Sequence, residues 1–365
     1  MKVICNRNRL AEALSLLAGV VGIRTTRPIL QCLRMQTEDE GLTLLATDLE
    51  LGVRYHIKEV EVIEPGQTVA PAVKLSAIVH QIEEETITFA TEDENLVISA
   101  PGAQFKLYTF DPNEYPPVAP REDGLKFQAT AGQLTTIAQQ TVYAAAKETS
   151  RYAINGLHLE VKDNRMLMVS TDGRRLARAS ALLPAKAAKE ITCIVPAKAV
   201  AMLEKLGTDP DVLVEVTVTE SQIAFASPDR LLISNLVEGT FPSYEAVIPK
   251  ETTCKIKADR SKLLAAIRRA ALMTSKESHS LKLSVGTDHI TIEARVPEQG
   301  EAKVEMPVTC QGEPVEISFN PDYITDPLRV LTTDEVTLEF RSSTTPGVLK
   351  AGPDFLYVIM PVTTA

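Results

Sequence analysis

The chain has 365 residues, 44% hydrophobic and 24% charged, which is enough for two or three cored domains. A net charge of −10 argues against a simple nucleic-acid coat, although it says nothing of where the charges lie. No apolar run reaches the ~18 residues of a membrane helix and the N-terminus carries no secretory pattern, so a cytoplasmic protein with no membrane partner is expected. The five cysteines (Cys5, Cys32, Cys193, Cys254 and Cys310) are odd in number and far apart in sequence. Neither a disulfide framework nor a zinc site built on CxxC is expected from them.

The first predicted element is an amphipathic helix over 6–20. An alternating strand follows, with Leu33 and Met35 set against Arg34 and Gln36, then a turn at 39–41 and a second strand. Pro71 introduces a second helix over 71–82, since proline suits the first helical turn, and Tyr115-Pro116 ends the segment. The same order returns with a helix over 130–146, a strand carrying Leu157, Leu159 and Val161, a turn at Asp163-Asn164, a helix over 196–206 and Phe241-Pro242. It returns again with a helix over 259–274, a strand carrying Leu281, Leu283 and Val285, a turn at 286–288 and a helix over 321–331. Pro327 should kink or shorten that last helix.

The register of the repeat is tight. Leu10 to Leu134, Leu33 to Leu157 and Thr47 to Thr171 are each 124 residues apart; Pro71 to Pro196 and Pro196 to Pro321 are each 125. Chance does not hold such spacing across helices, strands and turns. The chain therefore reads as three copies of one α+β domain, each with two helices on antiparallel sheets: 1–124, 125–251 and 252–365. Polar linkers lie at 120–124 and 249–253.

Charge divides between the elements. The six helical stretches sum to +7, which leaves −17 on everything else. Helices facing one common surface would make that surface attract polyanions. Ordinary enrichment of lysine and arginine on solvent faces gives the same numbers, and charge alone does not separate the two.

Enzyme signatures are missing. There is no GxGxxG, P-loop, HExxH or GxSxG, and the five histidines are scattered. The acidic clusters at 38–40, 83–85 and 92–94 fall in turns and read as solvated loops, whereas a two-metal site needs acids on rigid elements. No catalytic residue, metal or cofactor is assigned. One stretch exceeds what the repeat needs: residues 169–177, VSTDGRRLA. Thr171-Asp172 falls on Thr47-Asp48, and Asp-Gly is a turn signal. Gly173, Arg174 and Arg175, however, stand where the first repeat has Leu49, Glu50 and Leu51. The extra residues favour a partner site in the middle repeat over catalysis.

Short strings in fixed order carry a resemblance over the whole chain. They are TRPIL (26–30), ATDLE (46–50), RYAING (151–156), STDGRRLA (170–177), EGTFPSY (238–244), PEQ (297–299) and YVIMPV (357–362). Together they resemble the bacterial replicative sliding clamps, the beta subunits of DNA polymerase III. The resemblance implies the DNA clamp fold, in which a head-to-tail homodimer closes six domains into a ring around duplex DNA without reading sequence. Domains of this size are roughly 35 Å across, and six in a ring leave a hole of about that width, which a duplex passes. It also implies a non-catalytic processivity subunit that docks the DNA polymerase III alpha subunit, the clamp loader delta subunit, other polymerases and repair proteins through short peptides.

The resemblance places a partner-peptide pocket at Ile154, Thr171, Gly173, Arg174, Arg175, Leu176, Pro242, Val247, Val358, Met360, Pro361 and Val362. Removing residues 358–365, like Gly173→Glu, is expected to abolish partner binding and spare the ring. The dimer interface falls on Phe105 and Leu107 on one side and on Leu272 and Met273 on the other, and DNA contacts fall on Arg24, Lys74, Lys198 and Lys276. Three features depart from the family pattern: Ala246 at an often basic position, Arg174 at one often histidine, and an ending, PVTTA, without the familiar basic residues. Two other readings stand beside this one. A nucleic-acid enzyme built on an acidic cluster would show metal-dependent activity. A clamp-like scaffold specialised away from replication would not bind a replicative polymerase peptide.

Overall fold

The structure is a computed structural model and describes residues 1–22, 25–38, 41–121, 123–147, 153–207, 209–275 and 279–362. Within these, six helices follow in order: α1 (Arg7–Leu17), α2 (Ala72–Gln81), α3 (Ala131–Thr141), α4 (Ala197–Met202), α5 (Arg260–Ala271) and α6 (Pro321–Val330). The chain forms two compact units. One comprises 1–135, 183–189 and 198–236; the other comprises 136–182, 190–197 and 237–365. The central repeat is divided between them.

In the first unit an antiparallel sheet runs through Val60–Glu64, Lys2–Asn6, Thr86–Glu92, Asn95–Ala100 and Ala103–Tyr108. An eight-stranded sheet runs through Leu125–Thr130, Leu213–Val218, Gln222–Ala226, Arg230–Asn235, Leu51–Ile57, Gly41–Thr47, Cys32–Glu38 and Gln67–Pro71. Asn6 starts α1 by accepting from the N–H groups of Asn8 and Arg9, which helix geometry leaves without carbonyl partners. Leu10, Ala13, Leu14 and Leu17 then fall on one buried stripe, and α1 packs on α2.

The second unit repeats this plan. Its nine-stranded sheet runs through Ile191–Pro196, Gly156–Lys162, Arg165–Thr171, Arg175–Leu182, Phe355–Ile359, Gly347–Ala351, Glu335–Phe340, Cys254–Asp259 and Thr309–Gly312. Its four-stranded sheet runs through Gly300–Pro307, His289–Val296, Leu281–Val285 and Val315–Phe319. Asp259 caps α5 and Asn320 caps α6, and these two helices pack together.

Each large sheet crosses from one repeat to the next at a single antiparallel seam. Arg230–Asn235, the last strand of the second repeat, pairs with Leu51–Ile57 of the first. Phe355–Ile359, the last strand of the third, pairs with Arg175–Leu182 of the second. Registers agree: Leu51 meets Ser234 as Arg175 meets Ile359, and Gly52 meets Ile233 as Leu176 meets Val358. Among the described residues the equivalent strands, Ala103–Tyr108 of the first unit and Gly300–Pro307 of the second, each lie at the edge of their own sheet without a seam partner.

Helix ends differ from the sequence expectation. Both α3 and α4 tighten into 3-10 turns, at Val142–Ala144 and Leu203–Lys205, and so finish earlier than predicted. Pro71 and Pro196 end strands, and only Pro321 opens a helix from within. Pro327 lies inside α6, which stops three residues later with the Leu331 N–H donating to the Pro327 carbonyl. The cysteines also hold a surprise. Cys254 and Cys310, remote in sequence, lie diagonally across paired strands with sulfurs 3.9 Å apart.

Candidate functional site

The stretch VSTDGRRLA forms the turn between Arg165–Thr171 and Arg175–Leu182. Thr171 Oγ1 accepts from the Gly173 N–H at 3.1 Å and donates to the Arg175 carbonyl at 2.7 Å. One Asp172 carboxylate oxygen accepts from the N–H groups of Arg174 and Arg175 at 2.9 and 3.0 Å. The Met360 N–H donates to the Arg174 carbonyl and ties the turn to the strand across the seam.

The first repeat builds this turn bond for bond. Thr47 Oγ1 accepts from the Leu49 N–H and donates to the Leu51 carbonyl. Asp48 accepts from the N–H groups of Glu50 and Leu51, and the Asn235 N–H donates to the Glu50 carbonyl. Gly173 has φ 85° and Leu49 has φ 80°. A leucine therefore occupies the conformation that glycine eases, and φ alone does not require Gly173. Space explains it better, because a Cβ on Gly173 would project into an opening with no atom within 4 Å.

That opening is the mouth of a cavity of about 240 Å³ lined by Ile154, Thr171, Gly173, Arg174, Arg175, Leu176, Pro242, Ser243, Tyr244, Val247, Val358 and Met360. Leu176, Tyr244 and Val358 belong to a buried cluster with Leu167 and Val169. Phe241 packs against the same cluster and stacks on His158, with ring centroids 5.3 Å apart. Burial lowers the His158 pKa, against the opposing pull of Glu160 and Glu245.

The two arginines of the turn have opposite fates. Arg175 is only 10% exposed, and its guanidinium donates to Asp172 at 3.0 Å, to Asp326 at 2.6 Å and to the Tyr143 carbonyl at 2.6 Å. It also lies 4.6 Å from the centroid of the Tyr323 ring. Its charge is thus consumed in joining the turn to α6. Arg174 is exposed, and among the described residues its side chain has no ion pair or hydrogen bond.

Pro361 and Val362, predicted for the pocket, do not line the cavity. The Val362 N–H donates instead to the Ser318 carbonyl. Ser243 and Tyr244 line it without having been predicted, although both close the quoted string EGTFPSY (238–244). The C-terminal stretch is not a detachable tail. Val358 and Ile359 are buried and pair with Leu176 and Arg175, so removal of 358–365 would open the seam.

Other predicted positions fall at the surface. Phe105 and Leu107 lie on the edge strand Ala103–Tyr108. Leu272 is 81% exposed, and the Met273 methyl lies 3.0 Å from where a Cβ on Gly300 would stand, beside the other edge strand. Lys74 is exposed on α2, whereas Lys198 is paired with Asp48. Arg24 and Lys276 lie outside the described residues, as do Arg151, Tyr152 and part of the 39–41 turn. On α5, Lys262, Arg268 and Arg269 are exposed, while Arg260 is bound to the Thr333 and Leu328 carbonyls.

Family models of the N-terminal, central and C-terminal domains of the DNA polymerase III beta subunit match residues 1–119, 129–243 and 245–363. The chain belongs to the DNA polymerase III beta-subunit family. The beta sliding clamp of Pseudomonas putida is 32% identical over 99% of this chain and 100% of its own length. That of Bacillus subtilis is 30% identical over 100% of each. The solved beta subunit from Thermotoga maritima matches with a TM-score of 0.91 at 26% identity, covering 100% of both chains. The sliding clamp from Bacillus subtilis matches with a TM-score of 0.91 at 28% identity, again over 100% of both. The predicted α+β architecture of three clamp domains is the architecture of these solved clamps. Like its family, the beta-subunit chain is a non-catalytic sliding clamp.

Proposed function

We propose that two copies of the chain close head to tail into a ring around duplex DNA, and that the ring holds the replicative polymerase on its template. The seam rule carries this reading. Each internal seam joins the last strand of one repeat to a strand of the repeat before it. Ala103–Tyr108 and Gly300–Pro307 are the two halves of one further seam, and a second copy supplies the missing half to each. Edge strands gain backbone partners in such a contact, and a heterologous contact that closes makes a ring. Phe105, Leu107, Leu272 and Met273 are the side chains it would bury. The domain boundaries proposed are 124 and 251; the gap between the first two family matches, 119 to 129, brackets the first, whereas the central match ends at 243 and the C-terminal one begins at 245, ahead of the second.

Exposed cations on the helices, Lys74 and those of α5 foremost, would meet DNA phosphates loosely, which permits sliding. The cavity at the second seam would take short peptides from the polymerase alpha subunit, the clamp loader delta subunit and repair proteins. Apolar burial there contributes about 25 cal/mol per Å². A cytoplasmic site of action suits these partners. Light scattering of the purified chain tests the ring: a mass near twice 39.8 kDa is expected, and a single-chain mass at micromolar concentration contradicts it.

A further inference from the structure

We propose that Arg174 selects peptides carrying a carboxylate beside the apolar residue that enters the cavity; this rests on the peptide-site reading above. Three observations carry it. First, Glu50 stands at the equivalent point of the first-repeat turn, with the same backbone bonds, so the turn does not need arginine there. Second, among the described residues Arg174 and Arg175 are the only charged ones lining the cavity, and Arg175 is already satisfied by Asp172, Asp326 and the Tyr143 carbonyl. Third, among the described residues nothing within the chain pairs with Arg174, although its backbone is held on both sides, by Asp172 and by the Met360 N–H.

A positioned guanidinium at the rim of an apolar cavity is built for a carboxylate. It offers two parallel N–H donors, and a guest seated in the cavity excludes water from one side of the pair. The apolar walls hold the guest, and Arg174 sets which flanking residue it carries. The first seam shows the contrast. Its cavity is only about 70 Å³, and Glu50 puts the opposite charge at its rim.

Selection from a displayed library of random seven-residue peptides tests this on the full-length wild type and on R174A, R174E and G173E. Wild type should enrich apolar residues with aspartate or glutamate at one fixed spacing. R174E should keep the apolar residues and replace the acid by lysine or arginine, and R174A should keep them with no charge preference. The winning peptide is then synthesised with Asp→Asn and with free and amidated C-termini, which separates a side-chain carboxylate from a terminal one. Anisotropy should show the neutral peptide roughly fivefold weaker on wild type and unchanged on R174A. An acid that is absent on wild type, or that persists on R174A, overturns the role of Arg174 and leaves the pocket standing. The same peptides enriched on G173E would instead overturn the pocket reading, and no enrichment on wild type removes both.

Discussion

Three side chains around the second seam make separable predictions. Gly173 is needed for space more than for φ, since Leu49 tolerates the same turn. Gly173→Ala should cost about 1–2 kcal/mol of stability, the strain of a side chain at positive φ, and weaken peptide binding roughly tenfold. Melting curves and peptide titration on one sample check both. Conversely, Leu49→Gly should raise the melting temperature, because it relieves left-handed backbone strain of about 1 kcal/mol. Arg175→Ala removes the bonds that a guanidinium only 10% exposed makes to Asp172, Asp326 and the Tyr143 carbonyl and leaves the half-buried Asp326 to Arg329 alone, and chemical denaturation should show a loss of about 2 kcal/mol. His158 bears on pH. Its folded pKa is depressed by burial, so the unfolded chain takes up the proton first as pH falls. The stability it provides is complete above the unfolded value of about 6.5 and is lost as pH falls below it. His158→Phe should flatten the decline in melting temperature between pH 7 and 5, and an unchanged slope would assign that decline to other groups.

Secondary-structure elements were the more legible level. Binary pattern and a spacing of 124–125 residues located the repeat, because a buried stripe and a one-sided strand impose their own periods. Helix ends were less visible, since hydroxyl captures and 3-10 turns decide them locally; the Thr141 carbonyl, for instance, accepts from Ser170 Oγ. The turn chemistry at Asp172 was legible, but the role of its second arginine was not. Arg175 is bound by Asp326, 151 residues away, and no local pattern reports such a partner. The pairing of Lys198 with Asp48 and the adjacency of Cys254 and Cys310 were hidden for the same reason. At this scale the unmatched edge strands make a direct prediction. Phe105→Asp combined with Leu272→Asp should leave each chain folded, as circular dichroism would show, but monomeric in sedimentation. Persistence of the dimer would place the interface elsewhere.

For the molecule as a whole, an acidic chain is proposed to act on an acidic polymer. Net charge of −10 coexists with exposed cations on the helices, and α5 alone presents Lys262, Arg268 and Arg269. Ordinary electrostatic binding by so few cations would be weak and would fall away as salt rises. Topology gives a different signature: retention depends on whether the DNA has ends. The decisive measurement loads the chain onto a nicked circular plasmid with a clamp loader and then linearises the plasmid in moderate salt. Retention on the circle and loss from the linear form is the predicted result. Equal loss from both, after loading has been verified on the circle at low salt, would contradict the ring.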